Sequence, residues 1–406
     1  MSYAIPNVPR VRPPLWPIYL CVAVTALGIG IVNPIIPHLL EENGASEFII
    51  GLTTSVMFAS LVLTAWPIGK HIDRIGIRPF LILGLVSYSI AMILMPWARR
   101  IEYFFILRCF EGIGWSAVWT SAETYVSKVS LPEQRGQNTA MYGMSLSAGT
   151  AAGPILGATL VSFWTVLPFL VAVALSIGAG IIVLLVVPEP RMHHDEHAIG
   201  SGISWSLVRS LLLPLMIAFL YGYGTLSLVA LLPTLNFSTF EIGLLITVTV
   251  VANIAAQIPI GRLLDKFGYR PLLLSSLTLL SSAALFATFH PPFLLLLVLG
   301  ALLGAFAGTL YPIGLAVLAS RVPPAKLGGA NGLYTVCYGL GSVFGPAITG
   351  GVMTIVGSAH SDQALFGTIG ALVFSLLVMI LLGIDKVSHY EEQPISAASS
   401  SFKPPV

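Results

Sequence analysis

The sequence predicts an all-α membrane protein with twelve transmembrane helices arranged as two parallel six-helix repeats. Three observations lead there. First, the 406 residues are 56% hydrophobic and only 9% charged, with mean hydropathy +0.91, whereas soluble domains carry about 25% charge. Second, apolar runs recur between short polar connectors, and a run of about 20 residues is enough to cross a bilayer. Third, a shift of 192 residues superimposes many positions without a gap. Phe48 falls on Phe240, Gly51 on Gly243, Pro67 on Pro259, Tyr142 on Tyr334 and Gly153–Pro154 on Gly345–Pro346.

The apolar runs place spans one to six at 16–40, 47–68, 79–98, 103–127, 138–161 and 165–187. Spans seven to twelve fall at 211–233, 241–260, 271–289, 293–319, 330–355 and 363–384. This divides the chain into a first bundle over 1–187, a polar linker over 188–210 and a second bundle with a short tail over 211–406. The first run is too long for a signal-peptide core and no small-residue cleavage site follows it, so it is expected to remain as a span. With the N-terminus inside, 16 of the 19 Lys and Arg residues fall on the cytoplasmic side. The positive-inside rule then puts both termini in the cytoplasm, here of a bacterial-type inner membrane. Six spans per copy give both copies the same orientation. Parallel repeats of this kind build secondary transporters whose substrate site lies between the halves.

Taken in order, span one holds "LGIGIVNPIIP" (27–37), with Asn33 as a polar residue that can face a cavity and no acid. The connector after span two reads "GKHIDRIGIRPFL" (69–81) and its second copy "GRLLDKFGYRPLL" (261–273). Glycine there lets two helix ends approach closely, and a carboxylate can cap an opposing helix N-terminus. Span four is the most heavily charged. In "ILRCFEGIGWSAVWTSAETY" (106–125), Arg108, Glu111, Trp115, Trp119 and Glu123 share one face of a helix, an arc of roughly 120°. Charges inside a bilayer are costly and usually functional. Glu111 is three residues from Arg108, which favours an intrahelical ion pair, and burial and Arg108 pull its ionisation in opposite directions. The "LPEQRG" segment (131–136) adds Glu133 and Arg135, and span five carries "GTAAGPILGA" (149–158). Close helix packing with a proline bend marks a place where helices pivot.

These segments resemble, over nearly the whole chain, the major facilitator superfamily. Its loop-two motif is matched by Gly69, Asp73, Arg74, Gly76 and Arg78, with a second copy in Gly261, Asp265, Lys266, Gly268 and Arg270. The resemblance implies that Asp73 meets the start of span eleven near 328–331, that Asp265 meets the start of span five, and that these contacts hold the outward-facing state. Glu133 and Arg135 would join the same cytoplasmic network. Arg108 with Gly112 and Gly114 is similar to a span-four motif linked to proton coupling, with Glu111 standing where the family usually has Gln. Glu123 is the second candidate proton site and a candidate partner for the loop-two arginines. Gly149, Gly153, Pro154 and Gly157, with Gly345 and Pro346 in the mate, resemble the motif of drug:proton antiporters, with Ala158 in its last Gly place.

The resemblance also implies that spans one, four, seven and ten line the cavity. That nominates Asn33, Trp115, Trp119, Tyr221, Tyr223 and Tyr311. An aromatic, mostly uncharged pocket suits amphipathic or lipophilic small molecules. The expected partners are a small-molecule substrate, protons and the lipid bilayer, with no nucleic acid and no cofactor, and the chain is expected to act as a monomer. The His193, His194, Asp195, Glu196 and His197 run reads as a solvated linker rather than a metal site, and no phosphate-cradling or nucleophilic motif points to an enzyme. Export or import of a specific metabolite, such as a sugar or a siderophore-like product, is the alternative. A non-transporting sensor on the same fold is a more distant one.

Overall fold

The computed structural model describes residues 14–130, 135–188, 211–322 and 327–383. Helices α1 (Trp16–Val32) and α2 (Ile36–Glu42) together make span one. The turn between them at 33–35 follows from Pro34, which cannot donate into a helix and whose ring collides with the carbonyl four residues back. Spans two to six are α3 (Glu47–Ile75), α4 (Ile77–Leu94), α5 (Ile101–Val129), α6 (Arg135–Val161) and α7 (Leu167–Val186). Spans seven to twelve are α8 (Leu212–Leu231), α9 (Thr239–Phe267), α10 (Tyr269–Ala287), α11 (Phe293–Arg321), α12 (Leu327–Val356) and α13 (Ser361–Leu381). Among the described residues, 11 helices are long and apolar enough to cross a membrane. The remaining span, α5, is as long as any neighbour at 29 residues but carries Glu102, Arg108, Glu111, Glu123 and Lys128. Residues 189–210, which hold nearly all of the segment read as a linker and its histidines, lie outside the described residues.

The repeat seen in the sequence is also a repeat of helix starts. Glu47 and Thr239, Ile77 and Tyr269, Ile101 and Phe293, and Arg135 and Leu327 each begin corresponding helices 192 positions apart. Two ends of the bundle can be distinguished. The motif end carries the 69–78 and 261–270 segments, and the far end carries Glu47, Phe48 and Thr354.

The proline-bearing helices α6 and α12 organise the packing. On one face, Gly149, Gly153 and Gly157 lie so close to α1 that an added Cβ would collide with the Ala23 carbonyl, the Gly30 backbone and the Ile31 carbonyl. In the second half, Gly341 and Gly345 press likewise on the Phe219 and Tyr223 carbonyls of α8. On another face the same helices cross to the opposite half. Gly243 of α9 sits on the Pro154 carbonyl, and Gly51 of α3 on the Pro346 carbonyl. Small residues let backbones approach this closely where lipid gives no hydrophobic push.

Polar contacts add to this closure at the far end. Phe48 N donates to Thr354 Oγ1 at 2.9 Å. Glu47 accepts from Thr354 Oγ1 and from Ser361 Oγ, both at 3.3 Å. Among the described residues the apolar core divides in the same sense. One buried cluster joins both halves through residues such as Ile50, Leu245 and Met353. In the second half this cluster runs on to Ile260 and Leu273 near the motif end, but two further clusters there each stay within one half, one around Ile72, Tyr125 and Val183 and the other around Leu211, Leu318 and Tyr334.

Gly51→Val tests the closure. Overpacking of this kind costs about 1–3 kcal/mol, and the added branches have the Pro346 carbonyl directly in their path. Spin labels on the exposed far-end residues Phe163 and Ile355 should move apart in the variant relative to native protein. An unchanged distance distribution would show that the Gly51–Pro346 contact does not hold the halves together.

Candidate functional site

A central cavity of about 320 Å³ lies between the halves, walled by α1, α3, α5 and α6 from the first and α8, α9, α10, α11, α12 and α13 from the second. The size falls within the range of small-molecule pockets, about 300–1,000 Å³. Its wall carries no Asp, Glu, Lys, Arg or His among the described residues; it is apolar, with aromatic rings, hydroxyls and three amides. Of the six residues nominated from sequence, Asn33, Trp115, Trp119 and Tyr221 lie on this wall.

Tyr223 and Tyr311 do not. Tyr223 is 2% exposed, and its hydroxyl is paired with Thr349 Oγ1 at 2.8 Å on the α8–α12 interface. Two residues along a helix is about 200° of rotation, so Tyr221 and Tyr223 cannot share a face. Tyr311 stands behind Tyr221, ring centroids 5.5 Å apart, and edge-on to Tyr334 at 5.4 Å. It supports the wall without forming it. Sequence reasoning missed Asn253, Gln257 and Tyr338, which do line the cavity. The signal was present in the two amides of "ANIAAQIPIG" (252–261), one turn apart in an otherwise apolar span.

The charged face of α5 changes surroundings along its length: Arg108 and Glu111 are buried, Trp115 and Trp119 line the cavity, and Glu123 is exposed. Arg108 is 2% exposed and Glu111 0%. Arg108 Nη1 donates to Glu111 Oε2 at 2.9 Å, and more loosely to Asn33 Oδ1 at 3.4 Å and Met57 Sδ at 3.8 Å. Among the described residues, Glu111 Oε1 and Arg108 Nε have no hydrogen-bond partner. Asn33 therefore touches both the cavity and the buried pair. One turn beyond Trp115, whose ring is 5.9 Å from that of Trp119, the Trp119 Nε1–H donates to Glu123 Oε1 at 2.6 Å. The bond described for Glu123 is thus to its own helix, not to an arginine of loop two.

The loop-two glycines serve the backbone. Gly76 and Gly268 join α3 to α4 and α9 to α10 at φ 110° and 73°, a region that residues with a Cβ rarely enter. Nothing lies within 4 Å of a Cβ at Gly268, and at Gly69 only the Thr120 methyl at 3.7 Å. At Gly76 and Gly268 the backbone conformation itself calls for glycine. Arg78 Nη2 donates to the Leu184 carbonyl, near the C-terminal end of α7, where a cation is favoured. Arg74 and Arg270 are exposed. The side chains of Asp73, Asp265 and Arg135, together with Gly261 and Glu133, lie outside the described residues, and so does the proposed meeting of the carboxylates with spans five and eleven.

A two-bundle helical protein with an uncharged cavity between its halves and a charge pair buried beside that cavity has the build of a membrane transporter. The chain belongs to the Major Facilitator Superfamily, whose family model matches residues 18–238 and 214–405. The MFS-type transporter YfkF of Bacillus subtilis (strain 168) is 28% identical over 384 residues, covering 90% of this chain and 94% of that one. In fold, the chain is similar to a bacterial homolog of the human lysosomal transporter Spinster, solved in an inward-facing and occupied conformation. The TM-score is 0.77 at 15% identity, over 93% of this chain and 98% of that one. It is also similar to the nucleoside transporter NupG, with TM-score 0.73 at 13% identity, over 91% and 98%.

Breaking the buried pair from one side should be costly. Arg108→Met leaves Glu111 buried without its counter-charge, a loss of about 3–5 kcal/mol. Thermal unfolding of purified protein should show a lowered midpoint for Arg108→Met and recovery in Arg108→Met with Glu111→Leu. Equal midpoints for native and Arg108→Met would mean that the pair carries no net interaction.

Proposed function

We propose that the chain is a secondary active exporter of small hydrophobic or amphipathic molecules, working by alternating access and driven by proton entry. It would act as a monomer in a bacterial-type inner membrane with both termini in the cytoplasm, the motif end facing inward. The observation that carries the reading is the pairing of an uncharged aromatic cavity with a buried Arg108–Glu111 pair bridged to its wall by Asn33.

The coupling step rests on that bridge. Ionised Glu111 holds Arg108. A proton on Glu111 removes the counter-charge and weakens its hold on Arg108 to a neutral hydrogen bond, which raises the relative weight of Asn33 as the guanidinium's other oxygen acceptor, so protonation is felt at the cavity wall where α1 breaks. Glu123, bonded to Trp119 on the same face, is the alternative proton site. The separate apolar clusters at the motif end, set against the shared core at the far end, support an inward-facing state. Reversing it requires the Gly51–Pro346 and Gly243–Pro154 contacts to part while the loop-two carboxylates of Asp73 and Asp265 engage the other half. Export is the direction favoured by the Gly-Pro motif in both halves.

Efflux of lipophilic dyes and drugs in inside-out vesicles with an imposed proton gradient tests this. Native protein should transport only with the gradient, and Glu111→Gln should lose that dependence, lowering gradient-driven transport by tenfold or more, equal to about 1.4 kcal/mol of lost coupling. Full coupling in Glu111→Gln moves the proton site to Glu123. If no compound of the panel moves, the cargo is a dedicated metabolite.

A further inference from the structure

The cavity wall is apolar except at a few places, and one of them is a wired cluster. On α9, Gln257 Nε2 donates to Asn253 Oδ1 at 3.0 Å, and Tyr221 of α8 donates its hydroxyl to the same oxygen at 3.3 Å. All three residues line the cavity. The two bonds use both lone pairs of the Asn253 carbonyl. Among the described residues they leave the Asn253 NH₂ and the Gln257 carbonyl without a partner. Turning both amides round changes the labels but not the result, because one amide NH₂ and one amide carbonyl still remain free. A helix turn separates the two residues, so both groups stand on one face of α9, next to the Tyr221 and Tyr338 rings, whose centroids are 5.8 Å apart.

The backbone beneath is fixed. Gly304 and Gly308 of α11 press against the carbonyls of Thr249 and Asn253, with no room for a Cβ at either. The amides are thus held by a rigid helix pair and by each other, which keeps the reorganisation cost of binding low. Neither Arg108 nor Glu111 contributes to this cluster. It lies on the second half, whereas the charge pair is buried in the first.

We infer that Asn253 and Gln257 form a hydrogen-bonding subsite for a neutral ligand that presents an adjacent donor and acceptor, as a primary or secondary amide or a lactam does, attached to a flat apolar body that stacks on Tyr221 and Tyr338. This deepens the proposed function and rests on its cavity being the cargo site. A group with a carbonyl alone satisfies the free NH₂ but leaves the free carbonyl unpaired and out of water. A site built to hydrogen-bond a ligand penalises the analogue lacking the group for that reason. A hydrocarbon leaves both unsatisfied.

The test is equilibrium dialysis of the full chain in lipid nanodiscs, corrected with empty nanodiscs, against 2-naphthamide, N,N-dimethyl-2-naphthamide and naphthalene. Native protein should bind 2-naphthamide about tenfold or more tightly than the dimethyl compound, with naphthalene weaker still. Asn253→Leu with Gln257→Leu should reduce the advantage of the primary amide to within about twofold and leave the dimethyl compound nearly unchanged. The near-isosteric Gln257→Met, which disturbs packing least, should lose part of the advantage on its own. Equal binding of the three probes to native protein overturns the subsite, as does an advantage that survives in every variant; in both cases the cavity still binds flat apolar molecules and the proposed function stands. If native protein binds none of the probes, the cavity is not a site for such molecules, and the subsite falls together with that reading.

Discussion

The structure depends on two helices that are each asked to pack in two directions. Helix α6 carries Gly149, Gly153 and Gly157 toward α1 and the Pro154 carbonyl toward Gly243 of the other half. Helix α12 does the same with Gly341 and Gly345 toward α8 and the Pro346 carbonyl toward Gly51. Inside a bilayer no hydrophobic push drives helices together, so association rests on close van der Waals packing and on small residues that permit it. A proline in such a helix leaves a carbonyl without its intrahelical donor. Here the opposite half makes a close approach beside that residue. The contact that binds each half internally and the contact that joins the halves therefore run through the same few residues, and tilting α6 or α12 alters both.

The polar bonds of Glu47 with Thr354 and Ser361 lie at the same end. They are partly exposed, and exposed polar contacts contribute little each. Their value is in register. They fix where the start of α3 meets the end of α12, while the glycine contacts supply the area. The core follows the same division, continuous at the far end and split at the motif end.

Much of this was legible in the sequence because a repeat is a statement about backbone. The 192-residue register reappears as the spacing of four successive helix starts, and the coincidence of Gly51 with Gly243 and of Pro154 with Pro346 already contained the crossed contacts, although pairing them requires knowing which helices meet. What was not legible is rotation about a helix axis. Tyr221 and Tyr223 look equivalent in a string of apolar letters, yet one faces the cavity and the other is bonded to Thr349. In "ANIAAQIPIG" the amides stand out less than a charge would, since a neutral amide costs far less to bury than an ion and leaves a weaker trace in composition. Spacing marks the loop-two glycines, but it does not show that the backbone passes through positive φ at Gly76 and Gly268.

The charged face of α5 shows how a costly feature constrains its surroundings. A buried guanidinium and carboxylate in one helix lose their hydration, and their mutual attraction offsets that only with good geometry and further partners. The pair has one short bond, two looser ones and two atoms without partners. Its second oxygen acceptor, Asn33, stands at the break between α1 and α2 with its side chain on the cavity wall. In the function proposed above, a change in the charge of the pair would reach the cavity through that one side chain, because no other residue of the wall is bonded to Arg108 by an oxygen among the described residues.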